Sequence, residues 1–217
     1  MEEGEVRLNR ELIATALREV ADSVCRDHCG GITQEPQITS RIGQALEQRL
    51  MGSDFNGYTV EVLTQDFPDR GPRALEHLVG ADLYVGVRVV MAGQVELSKG
   101  MLAQAKKGPW LSPQDSFFLV EQCKKMLALS PSSYVWVYTP DGIGVVDAEK
   151  VVERESRNLT NRRRLDEALS EMLACNEGDP NIGLPAGPDI RQQVGAMLRD
   201  LGVRVRTGIS VSIGRVR

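Results

Sequence analysis

Residues 80–107 read GADLYVGVRVVMAGQVELSKGMLAQAKK. Asp82 stands at the head of a β-branched run. A turn near Ala92-Gly93 follows, and a second run ends in Gln104, Ala105 and Lys106. Two such runs around a short turn predict a β-hairpin. Side chains alternate faces along a strand, so Gln104 and Lys106 share one face, and Ala103 and Ala105 share the other. The alanines suit close packing under a helix. The long polar side chains suit the opposite, accessible face. Pairing of the two strands would bring Asp82, Gln104 and Lys106 together at one end of a sheet. Those residue types suit metal-assisted phosphodiester hydrolysis. Mg²⁺ takes oxygen ligands, which Asp82, the Gln104 side chain and the carbonyl between Gln104 and Lys106 offer. The Lys106 ammonium would orient the attacking water or stabilise phosphate charge.

Outward from the hairpin, apolar spacing predicts an amphipathic helix over 8–28, with Leu12, Ile13, Ala16, Leu17, Val20 and Val24 on one stripe. Pro36 is expected to break the chain, with a second helix over 38–51. Residues 58–66 alternate and predict a strand. After the hairpin come a helix at 114–129, a strand at "SYVWVYT", a turn at "PDGI", and "GVVDAEKVV" as a short strand running into an edge or helix. Helices are expected at 160–174 and 188–201, and a last strand at "VRVRTGISVSI". The class is α/β (α+β): a mixed sheet with helices on both faces, in one domain.

Asp82 at the start of one strand and Gln104-Ala-Lys106 at the end of the next resemble the PD-(D/E)XK nuclease superfamily, in its branch with QxK for D/ExK. "VGAD" resembles the Gly-x-Asp of these nucleases. The resemblance covers about 33–150, where the order strand, strand, strand, helix, strand matches. It implies a restriction-endonuclease-like central mixed sheet flanked by helices, with 151–217 as a helical and β extension. It implies Mg²⁺ or Mn²⁺ as cofactor, and an acid from the helix before the first strand. Glu35, at the helix entrance, is favoured over Glu47 for that role. Glu76 is a further candidate ligand. Gln122, on the following helix, is either another polar group of the site or an exposed helix residue. The departure is Gln104, which is neutral and brings less charge to a metal. The implied function is a metal-dependent nuclease, on DNA rather than RNA, of a prokaryotic restriction or anti-phage system. Oligomerisation or a partner protein would supply specificity or activation. The alternative is a non-catalytic interaction protein that keeps the fold, which the neutral Gln104 and the acidic net charge favour.

The 217 residues carry 26 Lys and Arg against 30 Asp and Glu, for a formal charge of -4. Bulk charge therefore does not advertise nucleic-acid binding, and a local patch is needed. Lys99, Lys106 and Lys107 are expected to cluster at the site. Arg162, Arg163 and Arg164, with Arg157, form a second basic group, either a phosphate contact or the solvated start of a helix. Arg204, Arg206, Arg215 and Arg217 are expected to alternate along the last strand. Trp110 and Trp136 read as packing residues. "CRDHC" invites zinc through Cys25, His28 and Cys29, but three ligands at poor spacing read better as a helix end with packed thiols. The charged first residues and the lack of a roughly 20-residue apolar run predict a cytoplasmic chain with no membrane span. No phosphate-binding glycine loop or Ser/His/Asp set is present.

Overall fold

A computed structural model describes residues 3–67, 75–154, 158–187 and 189–207, without the side chains of 3–8, 75–76 and 202–207. Its strands are β1 (Ser53–Phe55), β2 (Tyr58–Asp66), β3 (Leu83–Met91), β4 (Gln94–Lys107), β5 (Ser133–Thr139), β6 (Gly142–Asp147) and β7 (Arg163–Arg164). They form one sheet in chain order. Every neighbouring pair is antiparallel except β4 with β5, which are parallel. A parallel pair needs a crossover, and α4 (Pro113–Leu129) supplies it.

Strand alternation gives the sheet two apolar faces. One face carries Val60, Val62, Val85, Val87, Ala103, Ala105 and Trp136. It is covered by α1 (Glu3–His28), α2 (Glu35–Leu50) and α6 (Leu165–Leu173). The other carries Tyr84, Leu102, Val135, Val137 and Val146, and packs against α4 and, at its rim, α3 (Leu75–Val79), α5 (Ala148–Arg154) and α7 (Ile190–Thr207). The fold is thus a mixed sheet with helices on both faces. Among the described residues, no helix is long and apolar enough to cross a membrane.

The hairpin turns at Ala92 (φ 48°) and Gly93 (φ 78°), the positive pair of a tight hairpin turn. Several elements differ from the sequence reading, among them the helix expected from 160, which starts at Leu165 after β7. Proline is tolerated in a first helical turn, where its missing N–H has no partner to lose. Pro36 accordingly sits in the first turn of α2 instead of breaking the chain, and the helix starts at Glu35. The expected strand from 203 is helical through 207. The spacing of Ile190, Val194, Leu198 and Leu201 carries α7 onward. Arg204 and Arg206 are therefore in a helix, and Arg215 and Arg217 lie outside the described residues. The segment after 150 is also no mere extension. Leu165, Leu169, Met172 and Leu173 enter one core, and Ile182, Leu184, Val194 and Leu198 the other.

Candidate active site

Leu83 pairs with Ala103, so β3 ends where β4 continues. Asp82 stands just outside β3. Its N–H donates to the Ala103 carbonyl at 2.9 Å. Its Oδ2 accepts from the Ala105 N–H at 2.8 Å and from Gln104 Nε2 at 2.5 Å. The carboxylate thus occupies the ladder position that β3 has vacated. The predicted juxtaposition of Asp82 and Gln104 holds, but the predicted accessible face does not. α4 covers that face, and Gln104 is 1% exposed. Its Oε1 is buried with no hydrogen-bond partner. An unpaired buried acceptor costs about 1–3 kcal/mol, so this oxygen is suited to a ligand.

The α2 start places Glu35 over the end of β4. Glu35 Oε1 lies 3.5 Å from Lys106 Nζ, and its Oε2 accepts from the Lys107 N–H at 2.7 Å. Glu47 does different work. It accepts from the Thr64 N–H and hydroxyl at 2.7 and 2.9 Å and pairs with Arg191 at 2.5 Å, bracing α2 to β2 and α7. Beneath Glu35, the Tyr138 hydroxyl lies 3.0 Å from Thr39 Oγ1. Burial raises the Tyr138 pKa well above its ordinary value, and the charges of Asp82 and Glu35 push the same way. On α4, burial pushes the Cys123 thiol up to about 12, opposed by the Lys106 charge.

Gln122 is half-buried, not exposed, and its Oε1 is also buried without a partner. Its backbone presses on Gly80, where a Cβ would stand 2.3 Å from the Gln122 carbonyl oxygen. Gly80 (φ 79°) precedes Asp82 by two residues. Glu76 belongs to α3, and its side chain lies outside the described residues.

The basic residues divide. Lys107 Nζ donates to the carbonyls of Gly31 and Thr33 at 2.8 and 3.2 Å. Lys99 does not join the site. It stands seven steps along β4 from Lys106, about 23 Å. It is 8% exposed and donates to the Glu177 carbonyl. Arg163 is likewise structural. It lies over the Tyr134 ring and pairs with Glu177 and Asp147. Arg164 pairs with Asp166 at 2.7 Å. Arg162 makes no side-chain hydrogen bond or ion pair among the described residues. It lines a cleft of about 480 Å³ with Thr139, Asp141 and Thr160. Arg157 lies outside the described residues.

Cys25 and Cys29 are buried thiols, and burial raises both pKa values. His28 contacts Arg41 at 2.8 Å. Among the described residues, no three or more His, Cys, Asp or Glu side chains gather as metal ligands. Near the end of β4, Asp82 and Glu35 offer carboxylates and Gln104 an orphaned amide oxygen. These are hard oxygen donors that suit Mg²⁺ or Mn²⁺.

The sequence reading missed one surface. Trp136 is buried as expected, but Trp110, Phe117 and Phe118 are exposed. The adjacent Phe pair was a legible signal, because neighbouring helix positions diverge by about 100° and do not share one buried face. No family model matches this chain, and no curated protein or solved structure matches it either.

Proposed function

We propose that the chain is a metal-dependent nuclease that hydrolyses phosphodiester bonds, on DNA in preference to RNA. The supporting observation is the meeting of Asp82, the orphaned Gln104 Oε1 and the Lys106–Glu35 pair at one sheet end. Asp82, Gln104 and Glu35 would hold Mg²⁺ or Mn²⁺. Such an ion lowers the pKa of a bound water and neutralises phosphoryl oxygens. Asp82 is held in place by the Ala105 N–H and the Gln104 amide. Lys106, restrained by Glu35, presents a cation to the phosphate or its attacking water. A prokaryotic restriction or anti-phage setting, with an oligomer or partner protein completing specificity, belongs to the same proposal.

A second reading has its own support. Asp82 is engaged by two internal donors, and Lys106 is already ion-paired. Such a self-satisfied site suits a non-catalytic interaction protein. Plasmid DNA and RNA incubated with protein and Mg²⁺ or Mn²⁺ separate the two. The nuclease reading expects cleavage that falls at least about a hundredfold in Lys106→Ala and in Asp82→Ala. Lys106→Ala is the cleaner variant, because Asp82 also caps the strand end. Absence of cleavage of either polymer with either ion rejects the nuclease.

A further inference from the structure

We propose that Trp110, Phe117 and Phe118 form a stacking shelf for unpaired bases, so that the polymer delivered to the Asp82 site is single-stranded nucleic acid. This rests on the nuclease reading and narrows its substrate class. Of the ten aromatic residues, these three alone among those described are exposed, at 70%, 65% and 53%. They are also consecutive among the aromatics of the chain, and they follow directly on the strand that carries Gln104 and Lys106.

The path of the chain explains the placement. β4 ends at Lys107, and Gly108 (φ 82°) turns the backbone. Trp110 is held by an isolated β-bridge to Asn158. Ser112 then caps α4, its hydroxyl accepting from the Asp115 N–H at 3.1 Å. The first α4 turns, with both phenylalanines, thus follow directly on the strand end that carries Lys106 and Lys107. Phe118, Gln122 and Lys125 follow one another at helical spacing on a single stripe. That stripe meets the loop before Asp82, since Gln122 lies on Gly80 and Lys125 Nζ donates to the His77 carbonyl at 2.9 Å. Phe118 stands one turn from Gln122, about 6 Å along the axis. The Phe117 and Phe118 rings meet edge to face, with centroids 5.9 Å apart.

Charge selects the occupant. The Lys107 and Lys125 ammonium groups donate only to backbone carbonyls, and Arg162, in a cleft it shares with Asp141, makes no side-chain hydrogen bond among the described residues. None of these three side chains makes an ion pair among the described residues, and such cations suit a polyanion whose bases are free to stack on the exposed rings. A duplex keeps its base faces inside its own stack. It can use the cations but not the rings.

The test measures binding, with Ca²⁺ replacing Mg²⁺, of a fluorescein-labelled 20-mer oligothymidylate and of a duplex of equal length. Anisotropy reports affinity. Tryptophan emission reports the shelf, because Trp136 is 1% exposed. The oligothymidylate is expected to quench emission and to bind at least about tenfold more tightly than the duplex. Trp110→Ala and Phe118→Ala should each weaken it by about tenfold, and Phe118→Tyr should restore it. Equal or tighter duplex binding, wild-type affinity in both alanine variants, or no binding of either probe overturns the proposal. So does quenching by rising protein concentration alone, which marks the shelf as a contact with a second copy. The two readings fail separately. If only the shelf is wrong, Lys106-dependent cleavage of duplex survives Trp110→Ala and Phe118→Ala. If only the nuclease is wrong, the oligothymidylate still binds through the rings and no polymer is cut.

Discussion

Gln104 is the residue on which the site turns. It is buried against Asp82, donates to its Oδ2, and leaves its own Oε1 unpaired. Gln104→Glu keeps the shape and replaces the donor with a second carboxylate. Two like charges at hydrogen-bond distance in a buried place disfavour each other. The variant should lose about 1–3 kcal/mol of stability in EDTA. A divalent ion between the two carboxylates relieves that repulsion. Thermal unfolding with and without Mg²⁺ checks this, and a larger Mg²⁺-induced rise in Tm than in the wild type is expected. An equal or smaller rise speaks against metal at Asp82. The thiols make a separate residue-scale case. Cys123 is pushed from 9.0 up to about 12 by burial, and Cys25 is raised for the same reason. A raised folded pKa means that the unfolded thiol ionises first. The contribution is complete below about pH 9 and is lost as pH rises toward 12. Denaturant midpoints should fall across that range. At pH 8 a thiol reagent should label one cysteine quickly, the exposed Cys175, and the other three only on unfolding.

At the scale of elements, Gly80 links α4 to the site. It adopts φ 79°, and an added Cβ would stand 2.3 Å from the Gln122 carbonyl oxygen. Backbone cannot yield as a flexible side chain does, so Gly80→Ala must displace either α4 or the loop bearing Asp82. We expect a loss of about 2–4 kcal/mol, read by denaturant unfolding, and the nuclease proposal adds cleavage reduced beyond what the lost folded fraction explains. The hairpin and Asp82–Gln104 pairing were legible because strand alternation and register are local rules. The burial of Gln104 was not, because α4, a crossover helix of later sequence, creates it. Glu35 was legible as a candidate, yet its contact with Lys106 depends on Pro36 starting α2 where a break was expected. Lys99 and Arg163 misled for the converse reason. A lysine or arginine reads the same in sequence whether it faces solvent or, like Lys99 and Arg163, the backbone or side chain of a half-buried Glu177.

For the whole molecule, the segment over about 33–150 does not stand alone, because residues outside it close both faces of the sheet. Ile13, Leu17 and Ala21 of α1 and Leu165, Leu169 and Met172 of α6 cover the face bearing Ala103 and Ala105. On the other face the chain after 178 returns to the hairpin. Gly100 and Asp179 exchange a β-bridge, the Tyr84 hydroxyl donates to the Ile182 carbonyl at 2.8 Å, and Ser98 donates to the Leu184 carbonyl at 2.7 Å. Gly100 and Gly86 leave the room this segment needs, since a Cβ at either would meet Ile182 or Leu184. A chain cut after residue 154 would leave Tyr84, Met101 and the sheet around them open to water, and it would strip Lys99 of its Glu177 acceptor. Each large apolar side chain so exposed forfeits about 1.5–3 kcal/mol, and a domain's net stability is only about 5–15 kcal/mol. The truncated chain should therefore show no cooperative unfolding transition by circular dichroism and should elute as aggregate, whereas the full chain melts in one step. A cooperative fold in the truncated chain would make the segment after 154 an appendage, and the second half of both cores dispensable.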